Sequence, residues 1–392
     1  MFKSEKIGFL PPNVFVQTDE QKMKAKKNGK KVYDFGVADP SYPSPIEAVN
    51  TLREEAKDPK NHHYAPFNGH PVFRQQMADW YKQRYNVHLD PKKEILALIG
   101  SKEGLFDICT TYLRQRDVAL VPDPGFPTYH QAVFMAGGDV YRMPLLKENN
   151  YLPDLYSIPE HVIKSTKLMF LNYPHNPTGA IAPDSFVEDV IQFAKRHNIV
   201  VCYDNPFLEI TLNGNVGKSF LEYKGAIDVG VEFTTFSKMF NMSGWRIAAA
   251  AGNKDVIDSL LKMFVQAHSS IFIPIQLAAA AVLREVWPTD YLNKIRSDYQ
   301  KKWDYALEKF NQINWNVVKP EGALYIWVPI PEGYTSDKFA ELLFDKYSVL
   351  VCPGIGFGEL GEGYIRLAMT CSFEDHTVGI DQLCQALQDT SR

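Results

Sequence analysis

The stretch Thr234–Ile247, "TTFSKMFNMSGWRI", places a lysine and an arginine among hydroxyl, aromatic and glycine residues. Apolar sequence precedes it as "VGVEF" and follows it as "AAAAG". A lysine that is withdrawn from water binds its proton less tightly, and the neutral amine attacks carbonyl carbons. We therefore predict that Lys238 reacts with a carbonyl compound. The alternative is an ordinary surface lysine between two strands.

The sequence around this stretch alternates between short apolar strands and helices. Helical patterns such as "KEGLFDICTTYLR" and "SFVEDVIQFAKRHN" separate several of the strands. Because strands that are buried on both faces are apolar throughout, this alternation predicts a largely parallel α/β sheet with helices on both sides. The strand patterns are "EILALIG", "DVALVPDPG", "KLMFLNYP", "IVVCYDN", "GVEFTTFSK" and "RIAAAAGN".

The two ends of the chain differ from this alternating part. A helix is expected to begin within "YPSPIEAV", where Ser44 can act as the cap and Glu47 completes a capping box. After about residue 290 the pattern predicts a smaller α+β unit with strands at "NWNVV", "ALYIWVPI" and "YIRLAMT". We expect residues 1–44 to form an N-terminal arm and part of the small domain, 45–285 the large domain, and 286–392 the small C-terminal domain.

Charge and cysteine content argue against several classes of protein. Lys plus Arg number 42 and Asp plus Glu number 46, which gives a net charge of -4. This mild acidity provides no general attraction to nucleic acid or to a membrane surface, and the apolar segments are too short to span a bilayer. The five cysteines have no paired spacing, so we expect reduced thiols, no zinc or other metal site, and a cytoplasmic protein.

Four polar segments lie where strands are predicted to end, the region in which open α/β sheets bind ligands. In "GSKEG" (100–104), small residues open a helix whose free amides suit a phosphate. The loop "NYPHNPTG" (172–179) aims amide side chains, and "YDNPF" (203–207) places Asp204 where a cationic ring nitrogen could pair with it. Thr235, Ser237 and Arg246 suit a phosphate dianion. Turn or capping chemistry is the alternative for the first three segments.

Pyridoxal 5′-phosphate is the carbonyl compound that requires a lysine, an acid for its ring nitrogen and a phosphate site together. The sequence resembles the class I/II aminotransferases of the fold type I pyridoxal-phosphate enzymes over nearly the whole chain. "SKMFNMSGWRI" resembles the lysine signature, "NPTG" the ring-binding loop, "DPGFPTY" the segment over the ring face, and "PGIGFGELGEGYIRLA" the C-terminal block. The resemblance implies a mostly parallel seven-stranded sheet sandwiched by helices, plus a smaller α+β domain.

The resemblance also implies a role for each site residue. Lys238 would hold the cofactor as an internal aldimine and move a proton between the substrate Cα and the cofactor C4′, while Asp204 would pair with the ring nitrogen. Arg366 would bind the substrate α-carboxylate, with Ala38 and Asn176 beside the substrate. Cofactor contacts are further implied for Phe126 on the ring face, Asn176 at O3′, and Ser101, Lys102, Thr235, Ser237 and Arg246 at the phosphate.

Some positions bear on the subunit arrangement or depart from the family pattern. Tyr64, in "HHYAPFNG", matches a tyrosine that reaches the phosphate of the neighbouring subunit, which implies a homodimer with its sites at the interface. Phe207 stands where relatives usually carry a tyrosine, so the hydrogen bond to O3′ would depend more on Asn176. Ala38 replaces a usual glycine, and Thr235 replaces a usual serine.

The implied activity is transfer of an α-amino group from an amino acid to a 2-oxo acid by a ping-pong mechanism. A carbon–sulfur β-lyase is the alternative, because it would share Lys238 and Asp204. A regulatory module is a third hypothesis, although the arm before residue 30 is short for a DNA-binding segment. The first block, "DFGVADPSYPSP", resembles the group that contains LL-diaminopimelate, alanine and aspartate aminotransferases, which suggests an acidic or small aliphatic amino donor.

Overall fold

The computed structural model describes residues 5–40 and 42–390. The first four residues of the predicted arm, Ser41 and the last two residues of the predicted small domain lie outside the described part. The strands are β1 (Tyr33–Asp34), β2 (Ile95–Leu98), β3 (Val118–Asp123), β4 (Asp139–Pro144), β5 (Thr166–Leu171), β6 (Val200–Asp204), β7 (Gly230–Thr235), β8 (Ala248–Gly252), β9 (Tyr325–Pro329), β10 (Val349–Leu350), β11 (Cys352–Pro353) and β12 (Tyr364–Ala368).

Helices connect most of these strands and cover the sheets. The α-helices are α1 (Glu5–Gly8), α2 (Val14–Lys27), α3 (Ile46–Glu55), α4 (Pro71–Tyr85), α5 (Ser101–Tyr112), α6 (Thr128–Ala136), α7 (Glu160–Ser165), α8 (Asp184–His197), α9 (Ala226–Val229), α10 (Phe236–Met239), α11 (Lys254–Ala267), α12 (Ile273–Ala281), α13 (Tyr291–Gln312), α14 (Ser336–Tyr347) and α15 (Phe373–Thr390). A π-helical segment, Val282–Val286, extends α12. Short 3-10 helices span Pro59–His62, Lys147–Asn149, Leu155–Ser157, Phe220–Glu222, Ser243–Trp245, Gly354–Phe357 and Glu359–Gly361.

Seven strands form the main sheet, in the order β2-β8-β7-β6-β5-β3-β4. β8 runs antiparallel to both of its neighbours, and the other pairings are parallel. Every residue of β2, β7 and β8 is buried, as expected for strands that are covered on both faces. The predicted fold class, a mostly parallel seven-stranded sheet between helices, is therefore confirmed.

Helix α8 illustrates how the sequence produces the covering layer. Val187, Val190, Ile191 and Ala194 are buried at a spacing of three and four residues, which places them on one face against the sheet. Asp184 lies in the first turn and basic residues fill the last turn, so both ends complement the helix dipole. The helix ends at Asn198, whose left-handed backbone (φ 54°) terminates the regular hydrogen bonding.

The C-terminal part of the chain forms a second sheet, in the order β11-β12-β9, whose pairings are all antiparallel. The N-terminal segment joins this part, because β1 pairs in parallel with β10. Phe35, which follows β1, belongs to the same buried cluster as Trp303 and Phe310 of α13 and Leu383 of α15. The exact division at residues 44 and 285 stays a prediction.

Three local predictions were wrong. "NWNVV" forms no strand, since Asn314 adopts a left-handed backbone (φ 57°) and the Trp315 indole donates to the Pro329 carbonyl. Ser44 does not cap α3, because its hydroxyl donates to the Asn241 carbonyl instead. The strand "GVEFTTFSK" ends early at Thr235, and the lysine lies on the following short helix α10.

The described residues contain neither a membrane-spanning helix nor a metal-binding cluster. Across residues 5–40 and 42–390, no helix combines the length and apolar character that a membrane crossing requires. The same residues contain no group of three or more histidine, cysteine, aspartate or glutamate side chains that could hold a metal ion.

Candidate active site

The carboxyl ends of β2, β3, β5, β6 and β7 surround one cavity of about 320 Å³. The arm and the second sheet close it from the other side through Phe15, Val37, Tyr325 and Arg366. This is the edge at which open α/β sheets bind ligands. Eleven of the predicted site residues line the cavity: Ala38, Ser101, Lys102, Phe126, Asn176, Asp204, Thr235, Ser237, Lys238, Arg246 and Arg366.

Lys238 lies on α10, directly after β7. The Thr235 hydroxyl accepts from the Ser237 amide at 3.2 Å and so begins this helix. The Lys238 ammonium donates to the Ala38 carbonyl. Burial lowers the pKa of Lys238 to about 8; nearby Arg366 also lowers it, while Asp39 opposes the shift. An appreciable fraction of this amine is therefore neutral and nucleophilic near neutral pH.

Asp204 ends β6 at the floor of the cavity and is 3% exposed. The Tyr129 hydroxyl donates to its Oδ2 at 2.8 Å, and the Asn172 amide donates to its main-chain oxygen at 2.7 Å. Its other carboxyl oxygen, Oδ1, is buried and has no hydrogen-bond partner within the described ranges. Burial raises the pKa of Asp204 to about 7, although the Tyr129 hydrogen bond opposes the shift. A cationic N–H group would satisfy Oδ1 and keep the carboxyl ionised.

The opposite end of the cavity suits an anion. Helix α5 begins there with Gly100 as its N-cap, which has no side chain to bond the first amides of the helix. The Arg246 guanidinium lies beside this turn and pairs with Glu103 at 3.3 Å. The hydroxyls of Thr235 and Ser237, which are 2.9 Å apart, complete the set. Free amides, two hydroxyls and a guanidinium form a site that fits a phosphate group.

Arg366 projects from β12 and is 1% exposed. Its Nη1 donates to Asn176 Oδ1 at 3.0 Å and its Nη2 donates to the Gly36 carbonyl at 2.7 Å. The guanidinium lies 4.2 Å from the centre of the Tyr325 ring and 4.7 Å from that of Phe357. No carboxylate of the described residues forms an ion pair with it, so a buried positive charge is available to a carboxylate ligand.

The structure separates one predicted residue from the cavity and adds several others. Tyr64 is 82% exposed and does not line the cavity. Tyr129 was missed, although its position three residues after Phe126 within "DPGFPTY" could have indicated it. Phe15 and Tyr325 gave no local signal, since long-range packing of the arm and the second sheet brings them to the site.

These residues fit pyridoxal phosphate when they are tested against its chemistry. The cofactor needs an amine for its aldehyde, an acid for its ring nitrogen and a phosphate site at the far end of the ring. The cavity provides a lysine with a lowered pKa, an unpaired buried carboxyl oxygen and the amide and hydroxyl cluster. Fold and site together define an α/β enzyme of the pyridoxal-phosphate type.

Comparisons with known proteins identify the family. Residues 30–387 match the family model described as aminotransferase class I and II. The LL-diaminopimelate aminotransferase of Moorella thermoacetica is 41% identical over 387 residues, which cover 99% of each chain. That of Dehalococcoides mccartyi strain 195 is 44% identical over 380 residues, 97% of each chain. The substrate-bound BacF structure from Bacillus subtilis superposes with a TM-score of 0.94 at 33% identity, covering 98% of each chain.

This chain therefore belongs to the class I and II aminotransferase family. It is a pyridoxal-phosphate-dependent enzyme that transfers amino groups between amino acids and 2-oxo acids. The relatives named above are aminotransferases or carry that fold, and they give no support to the β-lyase alternative.

Proposed function

We propose that LL-diaminopimelate is an amino substrate of this enzyme and that the enzyme serves amino acid biosynthesis. Relatives named for that substrate are 41% and 44% identical and match 97% or more of the chain. The observation that carries the proposal is a groove of about 820 Å³ that adjoins the active-site cavity and shares Phe15, Val37 and Lys102 with it. A substrate longer than alanine can extend into this groove from the cavity.

The charges of the groove match the far end of diaminopimelate, which carries both an ammonium and a carboxylate. Lys22 is paired with Asp34 at 2.7 Å, whereas Lys102 has no ion-pair partner among the residues that the structure describes. Lys102 is therefore the cation available to the distal carboxylate. Asp19, Glu20 and Asp39 also line the groove and supply acceptors for the distal ammonium.

The site residues divide the reaction between them. When bound, pyridoxal phosphate supplies an aldehyde and a ring that accepts the electrons of the substrate Cα–H bond. Lys238 would hold the cofactor through its side-chain amine, and the same amine would move a proton between the substrate Cα and the cofactor C4′. Asp204 would keep the ring nitrogen protonated, and Arg366 would orient the substrate α-carboxylate as a two-pronged donor. Asn176 would contact the ring and Phe126 would cover its face, since both side chains line the cavity.

The phosphate contacts fix the cofactor while the amine partners exchange. The amides of Ser101 and Lys102, the hydroxyls of Thr235 and Ser237 and the Arg246 guanidinium are the proposed ligands. Ala38 lies beside the lysine and, with its methyl group, limits the space next to the substrate carboxylate. Residues 45–285 would form the cofactor-binding domain, with 286–392 and the arm closing over it, in a cytoplasmic enzyme.

The donor proposal is tested by mixing purified holoenzyme with one amino acid at a time and following the absorbance of the bound cofactor. LL-Diaminopimelate should change the spectrum at micromolar to millimolar concentrations, as expected of a substrate. Lys102→Gln should lower kcat/KM for LL-diaminopimelate about 10-fold and leave kcat/KM for alanine unchanged. The substitution keeps the backbone amide of residue 102 at the phosphate site and removes only the side-chain contact to the distal carboxylate.

Lys92→Gln, which removes an exposed lysine outside the groove, is the matched control and should behave like the parent enzyme. A spectrum that responds to alanine or aspartate but not to LL-diaminopimelate would assign the enzyme to another donor. Release of pyruvate and ammonia from cystathionine without a 2-oxo acid would instead support the β-lyase hypothesis.

A further inference from the structure

Few hydrogen-bond donors remain for the ring of the cofactor once the contacts within the protein are assigned. The Tyr129 hydroxyl is committed to Asp204, and the Asn172 amide donates to the Asp204 main chain. Asn176 uses its Oδ1 to accept from Arg366, which leaves only its Nδ2 to donate. The hydroxyls of the 235–237 turn lie at the phosphate end.

Phe207, three residues after Asp204, lines the same cavity but has no hydroxyl. It is 2% exposed and packs edge-on against the ring of Tyr325, with centroids 5.4 Å apart and an angle of 85° between the rings. Tyr325 therefore places a phenol ring in contact with Phe207, whose own ring has no hydroxyl.

Tyr325 also lies at the same corner of the cavity as Asn176. Its ring stacks on the Arg366 guanidinium at 4.2 Å, and that guanidinium donates to Asn176 at 3.0 Å. Tyr325 is 3% exposed and lines the cavity, and its hydroxyl forms no hydrogen bond with another side chain of the described residues. A phenol at a cavity wall usually has a hydrogen-bond partner, and because Tyr325 lines the cavity, a bound ligand can supply it.

We propose that the Tyr325 hydroxyl donates a hydrogen bond to the ring oxygen of bound pyridoxal phosphate, beside Asn176, and supplies the phenol that Phe207 lacks. The proposal depends on the cofactor site described above and is independent of which amino donor the enzyme uses. It makes Tyr325 a cofactor-contacting residue contributed by the second sheet, so that the two sheets meet at the ring.

The test uses the holoenzyme and needs no substrate. A donor to an anionic oxygen stabilises the more negative state, so its removal raises the pKa at which the absorbance of the bound cofactor changes. Tyr325→Phe keeps the stacking on Arg366 and removes only the hydroxyl. It should raise this spectroscopic pKa by about one to two pH units and weaken cofactor retention about 10-fold, the size expected of a hydrogen bond to a charged group.

Two further variants separate a cofactor contact from a structural role. Phe207→Tyr combined with Tyr325→Phe should return the spectroscopic pKa toward the parent value, because a phenol is restored at the adjacent position. Tyr364→Phe is the matched control. Tyr364 lies on the same strand as Arg366, stacks on Trp327 with ring centroids 5.1 Å apart and does not line the cavity. Removal of its hydroxyl should therefore leave the spectroscopic pKa and cofactor retention unchanged.

The outcomes are distinct from those of the donor experiment. An unchanged pH titration in a Tyr325→Phe enzyme that melts like the parent would overturn the proposal and leave the ring as a support for Arg366. A shift that the added Phe207→Tyr leaves in place would also overturn it, since the hydroxyl would then act elsewhere. Neither result depends on LL-diaminopimelate, so the substrate proposal stands or fails separately.

Discussion

The carboxyl group of Asp204 destabilises the folded, cofactor-free protein when it is ionised, because burial raises its pKa to about 7 from an ordinary value of 3.8. Between these values the folded chain keeps a proton that the unfolded chain has released. The free energy of unfolding therefore falls as pH rises from about 4 to about 7 and stays low above that. The loss is at most about 4 kcal/mol.

Asp204→Asn should make the cofactor-free protein more stable at pH 8, by up to about 4 kcal/mol, while leaving its stability at pH 4 nearly unchanged. The asparagine keeps an oxygen for Tyr129 and cannot ionise. The same substitution should abolish most activity, since the ring nitrogen loses its counter-ion. Thermal denaturation of the two cofactor-free proteins at both pH values measures the effect, and parallel stability curves would mean that Asp204 ionises normally in the folded protein.

Lys238 should capture pyridoxal phosphate with a rate that depends on its own titration. Burial lowers the pKa of this amine to about 8, and only the neutral form attacks the aldehyde. The rate of cofactor uptake by the cofactor-free enzyme should therefore rise with pH and level off above about 8. Stopped-flow absorbance measures it, with Nα-acetyl-lysine as the control amine, whose uptake still rises near its ordinary pKa of about 10.4. The same late rise in the enzyme would show that Lys238 is not desolvated.

Residues that carry their chemistry in a local pattern were the ones that the sequence could predict. Lys238, Asp204 and Asn176 each belong to a short motif, and the structure brings them to one cavity. The protonation state of Asp204 could not be predicted from the sequence, because it depends on an unpaired carboxyl oxygen and on Tyr129 of the distant helix α6. Ser44 shows the reverse case, in which a correct capping pattern lost to a tertiary hydrogen bond with Asn241.

At the scale of elements, long apolar patterns were predicted better than short or edge strands. β2, β7 and β8 are entirely buried and were recognised from their apolar sequence. β4 lies at the edge of the main sheet with much of its length exposed, so its sequence lacked that signal. β10 and β11 have two residues each and exist only because distant segments pair with them.

The N-terminus of helix α5 should bind phosphate only if its N-cap residue, Gly100, has no side chain. A Cβ at Gly100 would collide with the Arg246 guanidinium and the Glu103 carboxylate, although the extended backbone there accepts any residue. Gly100→Ala should therefore displace Arg246 and weaken cofactor binding about 10-fold or more, the loss expected of a charge-assisted hydrogen bond. The melting temperature of the cofactor-free protein should change little, because flexible side-chain ends can move.

Gly244→Ala is the matched control, since an added Cβ there meets no atom within 4 Å. The dissociation constant of pyridoxal phosphate, obtained by fluorescence or absorbance titration, distinguishes the variants. If Gly100→Ala binds the cofactor as tightly as Gly244→Ala does, the amides of α5 and Arg246 do not form the phosphate site together.

At the scale of the whole molecule, the exposed aromatic and aliphatic side chains around α3 and α12 support the proposed homodimer. Tyr64 is 82% exposed, Phe67 53%, Phe272 46% and Ile46 61%. The ring centroid of His62, two residues before Tyr64, lies 6.4 Å from that of Phe272, so these segments share one face. An apolar face of this kind marks an interaction surface, and the family resemblance implies that Tyr64 of one subunit would reach the phosphate site of the other.

Mixing two inactive variants tests this arrangement directly. Lys238→Ala lacks the reactive amine in both sites, and Tyr64→Ala should lack the phosphate contact in both. Each mixed dimer would contain one site with both residues intact and one with neither. Random exchange of subunits in a 1:1 mixture makes about half of the dimers mixed, so about a quarter of the parent activity should return. Light scattering should give the mass of a dimer throughout.

Mild denaturant promotes subunit exchange. A mixture prepared without denaturant, in which the subunits do not exchange, is the control. Recovery that requires exchange means that the two residues act in one site across an interface, because no single chain in the mixture carries both. A Tyr64→Ala enzyme with full activity, or an exchanged mixture that stays inactive while light scattering detects mixed dimers, would rule out a shared site. The exposed tyrosine would then belong to the surface of a self-sufficient subunit, and the cavity, with the eleven predicted site residues that line it, would be complete within one chain.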